Sequence, residues 1–384
     1  MTDERATAGP PTLPPSDPPP AQHTVLIAGG GTGGHLIPAL AIATALRNAG
    51  AGILPVLVGA ERGVESWLLP QRDYPYHLLP IRPLFRQRIW RNAGLPWSVL
   101  RTIVQLRAVF AARRPALVIG TGGYASGPAV WWAARRGIPV AIQEQNAWPG
   151  LATRMLAGRV DHIYLGAPEA RARLRPGPRT QVFDTGNPIT PPDRTRRAAA
   201  LRRFGLDGSE SVVLVTGASQ GAVPINRAVA GWIDMGRNEG LVVLWATGRG
   251  SYEEFRSYHR PPAVQVFDFL DPIADAYAVA ALAVARGGMM TGAELCAWGI
   301  PSIIIPLPSA ADDHQTANAI ALEVAGAARH LPQHELSATT LGRTIRELMV
   351  DGLRREEMSE RALARGRPDA AADIVSHCLT LLKA

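Results

Sequence analysis

Short glycine-rich and polar runs carry the groups with which this 384-residue chain could do chemistry. Gly29-Gly30-Gly31-Thr32-Gly33-Gly34-His35 contains the spacing G-x-G-x-x-G directly after a β-branched run, Thr24 to Ala28. Glycines after a strand let main chain approach a ligand closely. The helix that follows offers unpaired N–H groups and the positive end of its dipole. A dinucleotide-binding fold is the commonest owner of this spacing, and it places an acid about 20 residues further on to hold a ribose. Here the nearest acid past the next strand is Glu61, which comes later. His35 stands where loop becomes helix. A helix-start histidine bonded to a backbone carbonyl is the plain alternative. With glycines around it and Pro38 after it, the ring is instead expected to point into a crevice between domains. An imidazole of pKa about 6.5 can there take a proton from a sugar hydroxyl at neutral pH.

Further runs stand at other predicted strand ends. Gly120-Thr121-Gly122-Gly123-Tyr124-Ala125-Ser126-Gly127-Pro128 is a second close-approach loop, more than a tight turn requires, with Tyr124 and Ser126 as polar candidates. Glu144-Gln145-Asn146 ends the next strand with three groups that could reach sugar hydroxyls. Gly287-Gly288-Met289-Met290-Thr291 opens a helix carrying Glu294, an end suited to a leaving diphosphate, with the carboxylate placed to accept both ribose hydroxyls. A first-turn glutamate that merely complements the helix dipole is the other reading of Glu294. Asp312-Asp313-His314-Gln315-Thr316-Ala317-Asn318 starts another helix with acid and amide groups toward the crevice. No further ligand stands at metal spacing beside it, and the chain has no D-x-D triplet, so no metal or other cofactor is expected.

These runs need a scaffold that brings strand ends together. Apolar runs of four to six residues alternate with helical patterns: Thr24 to Ala28, Pro55 to Val58, Ala116 to Ile119 and Val140 to Gln143 in the first half. Ser211 to Val215, Leu241 to Ala246, Val264 to Phe267, Leu282 to Ala285 and Ser302 to Pro306 follow in the second. Such runs read as parallel strands covered on both faces. The loop Thr216-Gly217-Ala218-Ser219-Gln220-Gly221 repeats the strand–glycine–helix unit about half the chain after the first. The expected fold is α/β: two doubly wound, Rossmann-like parallel-sheet domains facing across a cleft. The boundaries expected are a disordered Pro-rich leader at 1–22, a first domain at 23–188 and a linker at 189–204. A second domain at 205–368 and a terminal helix at 369–384, able to pack back on the first domain, complete the division.

Composition removes other classes. Lys383 is the only lysine among 40 basic residues, which excludes a P-loop and Schiff-base chemistry. Cys296 and Cys378 are the only cysteines, too few for a structural zinc site or a secreted disulfide framework, and a reducing cytoplasm is expected. The first residues lack an apolar signal segment, and no run approaches the roughly 18 apolar residues of a spanning helix. The net charge of +8 comes with no recognised nucleic-acid module. In Ile81-Arg82-Pro83-Leu84-Phe85-Arg86-Gln87-Arg88-Ile89-Trp90-Arg91 and Leu95-Pro96-Trp97, arginines interleave with bulky apolar groups. That suits a segment lying on an anionic membrane, the alternative being a basic helix with its apolar side in the core.

Taken in order, the runs at Gly30 to Ala41, Gly122 to Pro128, Glu144 to Asn146, Gly186-Asn187-Pro188, Gly217 to Ala222 and Asp313 to Ala319 resemble the MurG family of peptidoglycan N-acetylglucosaminyltransferases. The resemblance covers the chain from about Thr24 on. It implies the GT-B fold and inverting transfer of GlcNAc from UDP-GlcNAc to the C4 hydroxyl of MurNAc in undecaprenyl-diphospho-MurNAc-pentapeptide (lipid I), giving lipid II and UDP. It further implies a peripheral enzyme on the cytoplasmic face of the inner membrane, with room for wall-synthesis protein partners. His35 then resembles the base or acceptor-site residue, beside Thr32, Gly33 and Gly34 of its loop. Asn146 matches the contact to the donor sugar, Ser219 with Gln220 the donor-phosphate loop, and Leu270 the residue whose backbone reads uracil. Met289, Met290 and Thr291 match the helix start facing diphosphate and sugar, Glu294 the ribose ligand, and His314 with Gln315 the pair that binds the GlcNAc hydroxyls. Thr190 stands where many relatives carry arginine, Met289 where they carry a small residue, and Ala218 where they carry glycine. Another GT-B enzyme, a glycolipid glycosyltransferase or a sugar-nucleotide epimerase, is the alternative activity.

Overall fold

Buried β-branched and leucine-rich runs form the strands of this chain, and the helices between them cover both faces. The computed structural model describes residues 23–50, 52–82, 94–217 and 221–383. The leader expected at 1–22 lies outside the described residues, as do Ser219 and Gln220 and most of the arginine-rich segment after Arg82.

The N-terminal sheet holds β1 (His23–Ala28), β2 (Ile53–Ala60), β3 (Tyr76–Leu79), β4 (Leu117–Gly120), β5 (Val140–Glu144), β6 (His162–Leu165) and β7 (Gln181–Phe183). Around it lie α1 (Gly33–Asn48), α2 (Glu65–Leu68), α3 (Leu95–Arg113), α4 (Gly123–Ala134) and α5 (Leu151–Leu156). Helix α6 (Arg197–Phe204) leads into the C-terminal sheet of β8 (Ser211–Thr216), β9 (Leu241–Ala246), β10 (Val264–Phe267), β11 (Leu282–Arg286), β12 (Ser302–Ile305) and β13 (Ala328–His330). Its helices are α7 (Val223–Asp234), α8 (Tyr252–Phe255), α9 (Ile273–Val279), α10 (Met289–Trp298), α11 (His314–Val324), α12 (Ala338–Val350) and α13 (Gly352–Arg365); α14 (Ala370–Lys383) closes the chain.

The strand orders are β3-β2-β1-β4-β5-β6-β7 and β10-β9-β8-β11-β12-β13. Every pairing between named strands is parallel. The two doubly wound sheets expected from the sequence are therefore present. In each, the order reverses beside the first strand, at β1/β4 and at β8/β11, where open α/β sheets bind their ligands. Val25, Ile27, Leu57 and Ile119 pack with α1 on one face of the first sheet, and Leu26, Val56, Val118 and Ile142 fill the other.

The chain passes between the two sheet units twice, once after Asn187 and once before α14. Ile374, Val375 and Cys378 of α14 join the N-terminal core beside Leu36, Ile42 and Leu46. The two crossings touch: a Cβ on Gly186 would stand 2.7 Å from Cγ of Arg367 and 3.5 Å from Cβ of Ala370. Close by, Arg365 forms a bidentate ion pair with Glu169 across the units, both contacts at 2.9 Å.

Candidate active site

His35 sits in the first turn of α1, at the β1/β4 switch, with its ring against the loop after β4. Gly122 and Gly123 of that loop hold φ of +89° and +76°. A side chain there would be strained, and a Cβ on Gly122 would stand 2.6 Å from Nδ1 of His35. The glycines thus clear room for the imidazole. Nδ1 lies 3.2 Å from the Thr121 carbonyl oxygen and 3.2 Å from Oε1 of Gln145. The carbonyl contact of the plain reading is therefore made, yet only Nδ1 is used by it. Both partners accept, so Nδ1 carries the hydrogen and a neutral ring presents a bare Nε2. Burial holds the ring's pKa below its ordinary value, against the nearby Glu144 carboxylate and the Gln145 and Thr121 contacts, and His314 lowers it further. His314 belongs to the second unit, so the ring feels charge from across the two units.

The remaining N-terminal candidates are distributed differently from the sequence expectation. Thr32, Gly33 and Gly34 form the open start of α1: Thr32 is exposed, and a Cβ on Gly33 would meet nothing within 4 Å. Glu144 does not reach for a ligand. One oxygen accepts from the Asn146 N–H and Nδ2 at 3.1 and 3.2 Å, the other from the Gly150 N–H at 3.0 Å and the Thr153 hydroxyl at 2.6 Å. A buried carboxylate with that many donors is filled by its own loop, and its effect is to fix Asn146. The Tyr124 hydroxyl donates to the Arg62 carbonyl, and Ser126 is buried against Gly120 of β4, so neither hydroxyl is turned to the cleft.

On the facing wall, Glu294 of α10 accepts a hydrogen bond from the Tyr277 hydroxyl at 2.8 Å, which leaves its second oxygen for a ligand. Burial raises the Glu294 pKa and outweighs the tyrosine contact. Met290 and Thr291 are partly exposed at the start of α10, with the N–H groups of that helix end. Met289 corrects its expected place: it is buried with Ala147, Ala167 and Ala321 in a cluster shared by the two units, so it packs between them rather than facing a sugar. His314 Nδ1 donates to the Ala311 carbonyl at 2.7 Å, and Gln315 Oε1 accepts from the Leu307 N–H at 2.9 Å. Leu270 is buried by its side chain after β10, and Thr190 is exposed. No group of three or more His, Cys, Asp or Glu side chains able to hold a metal occurs among the described residues.

Sequence spacing missed Asn318 as the bridge across the cleft floor. It is fully buried, accepts from the Ala147 N–H at 2.9 Å, and donates to Asn146 Oδ1 at 3.1 Å and to the Gly287 carbonyl at 3.0 Å. Glu65 was missed too; its buried carboxylate takes the Gly31 N–H at 2.7 Å and so anchors the first glycine loop from below. Replacing Asn318 by alanine strands several of these groups. It is expected to lower stability by about 1–3 kcal/mol, read as a lower urea midpoint, with Asn318→Asp falling between.

Comparison with known proteins bears on this cleft. The glycosyltransferase family 28 N-terminal domain matches residues 25–165 and the family's C-terminal domain residues 212–374. A curated relative from Salinibacter ruber is 37% identical over 93% of this chain and 96% of its own length. It is named UDP-N-acetylglucosamine--N-acetylmuramyl-(pentapeptide) pyrophosphoryl-undecaprenol N-acetylglucosamine transferase. This chain belongs to glycosyltransferase family 28. A relative of the same name from Chlorobaculum parvum is 36% identical over 94% of this chain and 99% of its own. Among solved structures, MurG of Acinetobacter baumannii superposes with a TM-score of 0.74 at 26% identity, covering 93% of this chain and 99% of that one. A UDP-GlcNAc 2-epimerase from Neisseria meningitidis shares the fold alone, with a TM-score of 0.62 at 14% identity over 93% of this chain and 99% of that one. In this member of family 28, both matched domains contribute to the cleft, and His35 falls within the N-terminal match.

Proposed function

We propose that the chain transfers N-acetylglucosamine from UDP-GlcNAc to the C4 hydroxyl of MurNAc in undecaprenyl-diphospho-MurNAc-pentapeptide, releasing UDP with inversion. The observation that carries this is near-full-length likeness to transferases named for that reaction, in a chain with His35 at the switch point of the first sheet and the start of α10 at that of the second. The N-terminal unit takes the acceptor and the C-terminal unit the donor. Nε2 of His35 removes the proton from the attacking hydroxyl, and the C4 oxygen then bonds to the anomeric carbon from the face opposite UDP. The bond from that carbon to the diphosphate oxygen breaks, and the N–H groups opening α10 stabilise the leaving charge. Glu294 binds the ribose, while Asn146, His314 and Gln315 line the sugar.

Purified protein incubated with radiolabelled UDP-GlcNAc and a lipid I analogue should yield labelled lipid II and UDP. Conversion of UDP-GlcNAc to an epimer without transfer, or no turnover on this acceptor, would defeat the reading.

The acceptor's lipid calls for a membrane-facing surface. No helix among the described residues is long and apolar enough to cross a bilayer. Trp97, Leu100 and Val104 of α3 are 66%, 51% and 61% exposed at helical spacing, while Thr102, Leu106 and Phe110 on the other face are buried. Arg62, Arg82 and Arg101 gather with Trp97 around a shallow cavity at the start of this helix. In this reading α3 lies on the cytoplasmic face of an anionic bilayer, apolar side chains inserted and arginines on head groups. The double variant Trp97→Ser/Leu100→Ser is expected to bind anionic vesicles about 10-fold less tightly in a pelleting assay, about 1.4 kcal/mol for two side chains inserted part-way, against about 1.5–3 kcal/mol each at full insertion.

A further inference from the structure

Behind His35 lies a closed ring of buried amides that no part of the reaction has yet used. Gln143, Gln145, Asn187 and Thr121 are all buried. Asn187 Nδ2 is 3.1 Å from the main-chain carbonyl of Gln145. A carbonyl only accepts, so this end of Asn187 is its nitrogen, and its oxygen must face Gln143. Gln143 Nε2 accordingly donates to Asn187 Oδ1 at 3.0 Å. The Gln143 oxygen is then left to accept from Gln145 Nε2 at 2.5 Å. That same nitrogen donates to the Thr121 carbonyl at 2.7 Å, a second fixed acceptor that sets the Gln145 amide the same way round. Each amide therefore has one permitted orientation, and the chain ends with Gln145 Oε1 turned to Nδ1 of His35.

We infer that Gln145 is a positioning residue: its amide, oriented by Gln143, Asn187 and Thr121, locks His35 in the Nδ1–H tautomer and keeps Nε2 bare to receive the acceptor's proton. The inference rests on His35 being the base of the transfer proposed above. A reversed Gln145 would present an NH₂ to Nδ1, favour Nε2–H, and fill the position that must be empty for proton removal. Reversal would also set Gln145 Oε1 against both the Thr121 carbonyl and the Gln143 oxygen, which is why the ring holds one direction.

The test reads the tautomer directly. Full-length protein labelled with ¹⁵N-histidine, His35 being assigned by the signals lost in His35→Gln, is examined by two-bond ¹H–¹⁵N correlation at pH 8 without substrate. The wild-type ring should show a protonated Nδ1 and an unprotonated Nε2; an Nε2–H majority overturns the inference with no variant needed. In Gln145→Leu only the Thr121 carbonyl, which in wild type is shared with Gln145 Nε2, still accepts from Nδ1, so the ring should shift from Nδ1–H to a mixture with Nε2–H, with kcat lowered about 10- to 10³-fold and KM for UDP-GlcNAc within about twofold. A tautomer unchanged in that variant would overturn the lock. Absence of transfer by wild-type protein whose ring is Nδ1–H would support the lock while sinking the transferase reading, so the two failures are separable.

Discussion

Replacing His35 by alanine is expected to lower kcat for sugar transfer to the lipid acceptor by about 10²–10⁴-fold, the range a positioned general base contributes. KM for UDP-GlcNAc should stay within about threefold, because the ring stands on the acceptor side of the cleft while the proposed donor contacts other than Asn146 lie in the other unit. Steady-state kinetics on a lipid I analogue decide the matter; near-normal turnover would remove His35 from the chemistry. The wild-type pH profile gives a second check. The base is the neutral ring, so activity is held above its pKa and lost as pH falls through it. Burial sets that pKa below the 6.5 of a free imidazole. The acid limb of kcat/KM should accordingly lie below pH 6.5, and a limb well above it would mean that another group is being titrated.

Glu294→Ala should act on the other substrate. Hydrogen bonds to a charged acceptor contribute about 1.5–3 kcal/mol, which corresponds to a rise of roughly 10- to 100-fold in KM for UDP-GlcNAc, with kcat changed by no more than a few-fold. The Tyr277 hydroxyl aims one carboxylate oxygen and leaves the other for the ribose, so Tyr277→Phe should raise KM by a smaller factor, about three- to fivefold. Calorimetric titration of UDP into each variant separates binding from turnover. Unaltered UDP affinity in Glu294→Ala would return this residue to the role of a first-turn acid that only complements its helix.

Much of the fold was readable because the interior strands are continuous apolar runs, such as those ending at Ala28 and Ala246, and nothing but a parallel, doubly covered sheet buries them all. The strands that escaped notice, β3, β6, β7 and β13, are three or four residues long and carry His77, His162, Gln181 or Arg329 within them. A run so short and so polar has no periodicity to read. The site was legible where a glycine loop announced it and opaque where one side chain decides between two partners. Glu144 and Asn146 are equally polar at the same strand end, yet the N–H of Gly150 and the hydroxyl of Thr153 turn the first inward and leave the second to bridge toward Asn318. Gln145 and Asn318 matter through contacts 110 and 171 positions away along the chain, a distance over which local spacing carries no information.

The adjoining passages of the chain beside Gly186 and Arg367 have a mechanical consequence. Two bodies tethered at a single thread could tumble against each other; tethered at two neighbouring points, they keep one easy movement, a swing about the line through the tethers. Any opening of the cleft, and its closing, would be confined to that one arc. So joined, the imidazole on one body and the start of α10 on the other would have a single path by which to part and meet again.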